Sequence, residues 1–65
     1  MNAKVKPKEY TVLSILNWKF IINLHPRQIW YASAEKNKVR LERDNVTINM
    51  SNEEFEKYFK VVENV

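Results

Sequence analysis

Side chains that commonly carry out catalysis are few in this chain, and they are widely spaced. Cysteine is absent, and the single histidine, His25, precedes a proline in a predicted turn. A histidine acting as a general base needs a group that orients it, and the neighbouring sequence offers no carboxylate. Ser51 lies where a helix should begin and Asp44 lies in a predicted turn, so both have structural explanations. The sequence therefore predicts a protein that is not an enzyme and has no catalytic residue.

Cofactor and metal sites also lack their usual residues. Without any glycine, the chain has no glycine-rich phosphate-binding loop. Structural zinc sites take four Cys or His ligands, which this composition does not supply. Glu53, Glu54 and Glu56 belong to the first turn of a predicted helix, where the helix dipole favours negative charge. We expect no cofactor, no bound metal and no small-molecule substrate.

Basic residues interleaved with aromatic ones are the remaining pattern that could do chemistry. The net charge of +3 is unevenly distributed: residues 1–43 hold nine Lys or Arg and three Glu, whereas residues 44–65 hold two Lys and five acidic residues. Trp30 and Tyr31 should point to opposite faces of one strand, which leaves one of them available to a ligand. Cations beside an exposed aromatic ring suit phosphate neutralisation and base stacking. The candidate contact residues for nucleic acid or a protein partner are Lys19, Arg27, Tyr31, Lys36, Lys38, Arg40 and Arg43.

Two functions are compatible with this pattern. A chain of 65 residues buries a thin core, so self-association or a protein partner is the leading hypothesis, with an accessory, adaptor or inhibitor role. That hypothesis predicts an exposed apolar patch or sheet edge around Tyr31 or Ile21. The alternative is a nucleic-acid-binding protein, such as a small regulator, that uses strands and loops because the predicted helix is acidic. Glu35 and Glu42 lie among the basic residues and count against this alternative.

The expected location is the cytoplasm. The apolar run that follows the N-terminal lysines is too short and too polar for a signal peptide, and no run approaches the length of a membrane span. The absence of cysteine fits a reducing compartment. A glycine-free composition rich in Lys, Asn and Ile is typical of small proteins from AT-rich bacterial or phage genomes, which suggests a phage or mobile-element origin.

The N-terminal half must position these side chains with strands. Residues 1–8 are polar and contain Pro7, which predicts a flexible arm ahead of a single domain over residues 9–65. Residues 10–16 are rich in β-branched and aromatic types and favour a strand. A helix is the alternative for this segment, because Tyr10, Leu13 and Leu16 share a helical face and Pro7 suits a first turn.

Alternating apolar residues predict further strands over 18–24, 28–34, 38–43 and 46–50. Because glycine is absent, turns that need a positive φ must use Asn or Asp. The candidate turn residues are Asn17, Asn37 and the Asp44–Asn45 pair. Side chains predicted to face the core are Trp18, Phe20, Ile22, Leu24, Val39, Leu41, Val46, Ile48 and Met50.

A C-terminal helix is the clearest local prediction. Ser51 and Glu54 form a capping-box pattern, and an apolar stripe of Phe55, Phe59 and Val62 predicts a helix over about 52–62. The predicted fold is therefore mainly β (α+β): a small SH3-like open barrel, or a bent antiparallel sheet of four to five strands, with one C-terminal helix.

Four segments of the strand region form a pattern that occurs in a known family: Phe20-Ile21-Ile22-Asn23, Ile29, Lys38-Val39-Arg40-Leu41, and Val46-Thr47-Ile48 before Ser51. The pattern resembles the second half of LytTR-type DNA-binding domains, which have an apolar strand ending in Asn, an Ile strand, and a hairpin before a closing serine and helix. The spacing from Asn to Ile is longer here, and the hairpin glycine and the first half of such domains are missing, so no residue role is transferred.

Overall fold

Two antiparallel sheets and one short helix make up the computed structural model, which describes residues 2–15 and 20–64. Five strands form one sheet in the order β6-β5-β4-β1-β7, and β2 pairs with β3 in a separate hairpin. The larger sheet is not a closed barrel, because β6 and β7 do not pair with each other. The mainly β prediction is confirmed. The elements are β1 (Asn2–Pro7), β2 (Thr11–Ile15), β3 (Phe20–Leu24), β4 (Trp30–Ala34), β5 (Val39–Arg43), β6 (Val46–Met50), α1 (Asn52–Tyr58) and β7 (Phe59–Asn64).

The N-terminal segment is not a flexible arm, so that prediction is wrong. β1 lies inside the larger sheet, where it pairs with β4 on one side and β7 on the other. Ala3, Val5 and Pro7 are buried and alternate with Lys4 and Lys6, which are partly exposed. This is the period of a strand with one face on the core. The proline is tolerated because it is the last residue of the strand.

The segment that could have been strand or helix is a strand. β2 pairs with β3 in register, with Leu13 opposite Ile22 and Thr11 opposite Leu24. Leu24 is buried and Ile22 is partly buried, as the alternation predicts, but Phe20 is 58% exposed. Phe20 belongs to the last described pair of this hairpin, and the other described residues leave it largely uncovered. The predictions for Leu16, Asn17 and Trp18 lie outside the described residues.

The core lies on one face of the five-stranded sheet. The ring of Trp30 meets that of Phe59 edge-on at 6.2 Å, and Phe59 stacks on Phe55 at 5.8 Å. Aromatic pairs with such geometry add about 0.5–1.5 kcal/mol beyond burial of their area. The prediction that the alternate side chains of β6 face the core is confirmed for Ile48 and Met50, which are buried, but not for Val46, which is exposed. The buried apolar residues are Ala3, Val5, Leu24, Trp30, Ala32, Val39, Leu41, Ile48, Met50 and Phe59.

The turn between β5 and β6 shows how a chain without glycine reverses direction. Arg43 pairs with Val46, so only Asp44 and Asn45 connect the strands. Asp44 has a φ of 54°, in the left-handed region that two-residue hairpin turns need at their first position. The predicted use of Asp at this turn is confirmed.

The C-terminal helix begins as predicted but ends early. Ser51 Oγ accepts the Glu54 N–H at 3.1 Å, and the Glu54 carboxylate accepts the Ser51 N–H at 3.3 Å, which completes the capping box. The helix ends at Tyr58 instead of residue 62, because Phe59 adopts an extended backbone and begins β7. Residues 59–64 gain backbone hydrogen bonds from β1, and β-branched residues suit a strand. Val62, predicted to line the helix, is therefore 51% exposed on an edge strand.

With seven residues, α1 is much shorter than a membrane span. No helix in the described residues combines the length and apolar character that crossing a bilayer requires.

Candidate functional site

His25 has a structural environment in the turn after β3. Its Nδ1 accepts the Arg27 N–H at 3.2 Å, and its ring meets Tyr10 edge-on at 6.2 Å. Neither contact is with a carboxylate that could orient a general base. Across residues 2–15 and 20–64, no three His, Asp or Glu side chains come together to form a candidate metal site. The geometry around this histidine is that of a turn residue.

The basic residues predicted to bind a partner do not form one compact site. Arg27 lies in the turn before β4 and Lys36 in the turn after it, so they are at opposite ends of that strand. Tyr31 and Arg40 do share the outer face of the sheet, the face opposite the core. Arg43 does not share this face. It lies on the same side of β5 as the buried Leu41 and is partly buried. Lys19 lies outside the described residues.

Three of these cations already have an acidic neighbour. The ion-pair distances are 3.7 Å for Lys38 with Glu35, 3.2 Å for Arg40 with Glu42 and 3.6 Å for Arg43 with Asp44. Exposed pairs of this kind contribute at most about 1 kcal/mol, so they are easily opened. These pairs do lower the positive potential around each cation, because the neighbouring carboxylate reduces the attraction that the cation offers to a phosphate.

A second group of cations on the outer face was not predicted to contact a partner. Lys6 of β1 lies directly opposite Lys60 of β7, and Lys4 lies opposite Glu63 with an Nζ to Oε1 distance of 3.6 Å. Within the described residues, Lys6 and Lys60 have no carboxylate at ion-pair distance. Like charges directly opposite each other on a sheet are destabilising. The alternation of lysine with apolar residues in 2–7 is the signal that would have identified this face.

Four of the nine large apolar side chains that are exposed among the described residues lie in the β2–β3 hairpin or directly before it. Val12 is 48% exposed and Ile21 57% exposed, and the register places both on the same face of the hairpin. Tyr10 is exposed on that face too, and its hydroxyl donates to Asn23 Oδ1 at 3.2 Å. Phe20 is exposed on the other face. We refer to Tyr10, Val12 and Ile21 as the hairpin patch.

Isolated apolar residues are common on protein surfaces, whereas a contiguous group indicates a contact site. The hairpin patch brings three exposed apolar side chains onto one face of one hairpin, where the cross-strand neighbours of Val12 and Ile21 are Asn23 and Ser14. The sequence predicted exposure at Ile21 and Tyr31, and both are exposed. Tyr31, however, is surrounded by the polar outer face, with Lys4 and Glu42 as its cross-strand neighbours.

Comparison with known proteins adds no assignment. The chain matches no protein family, and neither the curated proteins nor the solved structures contain one that is significantly similar to it.

Proposed function

We propose that this chain is a non-enzymatic protein-binding module, with an accessory, adaptor or inhibitor role, and that the β2–β3 hairpin contacts the partner. The observation that carries the proposal is the hairpin patch. Val12 and Ile21 each leave about half of their surface in water on an element that stands apart from the main sheet. Covering the exposed half of such a side chain stabilises a complex by roughly 1 kcal/mol.

The limited stability of the β2–β3 hairpin also favours a partner. A two-stranded sheet is marginally stable in water unless a further strand or a packed face supports it. Here Leu13, Ile22 and Leu24 support the base of the hairpin by packing on the core, whereas Phe20 and Ile21 toward its tip remain exposed. A partner that covered Ile21 with the rest of the hairpin patch would stabilise the hairpin and itself gain apolar contact.

An SH3-like architecture is part of this proposal. It is supported by the strand order, in which the first strand lies between β4 and the last strand, β7. Closing this sheet into a barrel would require its two edges, β6 and β7, to pair with each other, and in this structure they do not.

The test uses variants matched for residue type and exposure. Val12→Glu and Ile21→Glu place a charge on the hairpin patch, whereas Val62→Glu places the same charge on an equally exposed valine of β7. Tagged chains are recovered from cells of the source organism, and bound proteins are quantified by mass spectrometry. The expected partner is lost with both hairpin variants, is retained with Val62→Glu, and binds the purified chain directly. If every bound protein responds equally to the three variants, the hairpin is not the contact surface.

Nucleic-acid binding is a second candidate, and the opposed Lys6 and Lys60 favour it. Two lysines at directly paired positions, with no carboxylate at ion-pair distance among the described residues, gain most from a phosphate, which would relieve their repulsion. The assay is fluorescence anisotropy with generic DNA and RNA from low to moderate salt. Lys6→Glu should weaken binding more than Arg40→Glu, because Arg40 already has Glu42 as a neighbour. No detectable affinity at low salt would rule this candidate out.

A further inference from the structure

The two edges of the five-stranded sheet differ in how they are protected. Exposed edge strands usually carry charges, prolines or bulges that discourage pairing with another chain. β7 follows this rule, with Lys60, Glu63 and a register shift against β1 between Lys4 and Val5. β6, with the sequence Val-Thr-Ile-Asn-Met, has no charge and no proline, and its register with β5 is unbroken. Among residues 2–15 and 20–64 the only strand that pairs with β6 is β5, so within this part of the chain the outer edge of β6 is open to strand pairing.

The outward backbone groups of β6 can be identified from the hydrogen bonds of its neighbours. The Glu35 N–H donates to the Lys38 carbonyl at 2.8 Å, which makes these two residues a hydrogen-bonded pair. Bonded and non-bonded pairs alternate along an antiparallel ladder. Ser33 with Arg40 is thus the next bonded pair, and the backbone of Arg40 is directed at β4.

Because backbone groups alternate in direction along a strand, the residues of β5 on either side of Arg40, including Leu41, direct their N–H and C=O groups at β6. Leu41 pairs with Ile48, so the N–H and C=O of Ile48 are directed into the sheet. The N–H and C=O of Thr47 and Asn49 are consequently directed away from it. The turn at Asp44 gives the same assignment independently. The closing pair of a two-residue hairpin is hydrogen-bonded, and here that pair is Arg43 with Val46, two residues from the pair of Leu41 with Ile48.

We propose that β6 pairs antiparallel with β6 of a second copy of this chain, about a twofold axis at Ile48, so that the two five-stranded sheets become continuous. In this register Thr47 of each copy lies opposite Asn49 of the other, and each such pair exchanges both of its outward hydrogen bonds. Val46, which is 42% exposed, lies opposite Met50 of the other copy and is covered by it. This surface is separate from the hairpin patch and does not depend on it.

At low salt, where the Debye length exceeds their separation, the charges beside β6 weakly favour a second copy in this register. Glu42 is the β5 neighbour of Thr47, and Arg40 is the β5 neighbour of Asn49. Across the twofold axis, Glu42 of one copy therefore lies in the same row as Arg40 of the other, about 14 Å away at the usual strand spacing. A register that places Thr47 opposite itself would align Glu42 with Glu42 and form fewer hydrogen bonds. The interface is small, so the dimer should be weak and depend on concentration.

Sedimentation equilibrium of the purified chain from micromolar to millimolar concentration tests the proposal. Thr47→Pro removes an N–H that β5 does not use, so the monomer should keep its fold while self-association weakens about tenfold or more. Thr47→Val keeps the backbone donor and is the matched control, which should dimerise like the original chain. Circular dichroism and thermal unfolding verify that each variant is folded.

A pair of double variants tests the register. Thr47→Lys with Asn49→Glu places opposite charges across the twofold axis, and also beside Glu42 and Arg40 of β5, so it should strengthen the dimer, whereas Thr47→Lys with Asn49→Lys places like charges across the axis and should abolish it. The proposal is overturned if the original chain is monomeric at millimolar concentration, or if Thr47→Pro leaves self-association unchanged. It is also overturned if the chain is monomeric and Thr47→Pro instead releases a different protein, because the edge would then accept a strand from that partner.

Discussion

Replacing Val5 by Ala tests the most consequential structural finding, that the N-terminal segment is an interior strand. Val5 is completely buried, with Trp30 opposite it on β4 and Val61 opposite it on β7. The substitution removes two methyl groups, which corresponds to about 1.6 kcal/mol of lost transfer free energy. The cavity left behind raises the expected loss of unfolding free energy to about 2–3 kcal/mol.

That loss is large for this chain. A domain of 65 residues has an unfolding free energy of about 3–10 kcal/mol. With a urea dependence of about 1 kcal/mol per molar, the denaturation midpoint should fall by about 2 M or more. Val62→Ala is the matched control, because Val62 is half exposed on β7 and should lose less than about 1 kcal/mol.

The assay is urea unfolding followed by tryptophan fluorescence and circular dichroism, with the two signals required to coincide. An equal loss in the Val5 and Val62 variants would refute the interior position of β1. A loss below about 0.5 kcal/mol at Val5 would do the same, because no buried valine in a packed sheet is so easily truncated.

Other substitutions test local features in the same unfolding assay. Asp44→Gly should raise the unfolding free energy by about 0.5–1 kcal/mol because glycine adopts the left-handed φ without strain, and Asp44→Val should lower it; equal values would contradict the turn geometry. Ser51→Ala removes the helix cap and should cost about 1 kcal/mol, whereas no loss would mean that the capping box contributes nothing. Lys6→Glu replaces the repulsion with Lys60 by attraction and should stabilise the fold by up to about 1 kcal/mol. That gain should shrink at high salt, and a gain that does not depend on salt would exclude the charge explanation.

The elements that the sequence predicts well are those specified by neighbouring residues. Alternation alone predicts β5, including the buried Val39 and Leu41. The start of α1 is predicted because Ser51 and Glu54 lie within one turn of each other. The turn at Asp44 is predicted because a chain without glycine has few residues that accept a positive φ.

The elements that sequence patterns do not predict are β1 and β7, because each is stabilised by pairing with a strand more than fifty residues away in the sequence. Residues 2–7 do alternate, but the polar composition and Pro7 favour an arm over a strand, and the capping box suggests a helix that continues through Val62. The candidate surfaces follow the same division. Exposure of Ile21 follows from local alternation, whereas the opposition of Lys6 and Lys60 requires knowledge of the register.

The pairing of β1 with β7 has a consequence for how the chain folds during synthesis. Until residues 59–64 have left the ribosome, β1 has β4 alone as a neighbour, and its second row of backbone donors and acceptors faces water. The hairpin formed by β5 and β6 can assemble earlier, since its partners are close in sequence. Closing the sheet then means pairing β1 with β7, which are more than fifty residues apart, and this is the slow step expected of a topology dominated by distant contacts, on a timescale of about milliseconds to seconds. Completion of the sheet is thus an event that follows translation of the last strand, and a nascent chain stalled before it would present β1 as an unprotected edge.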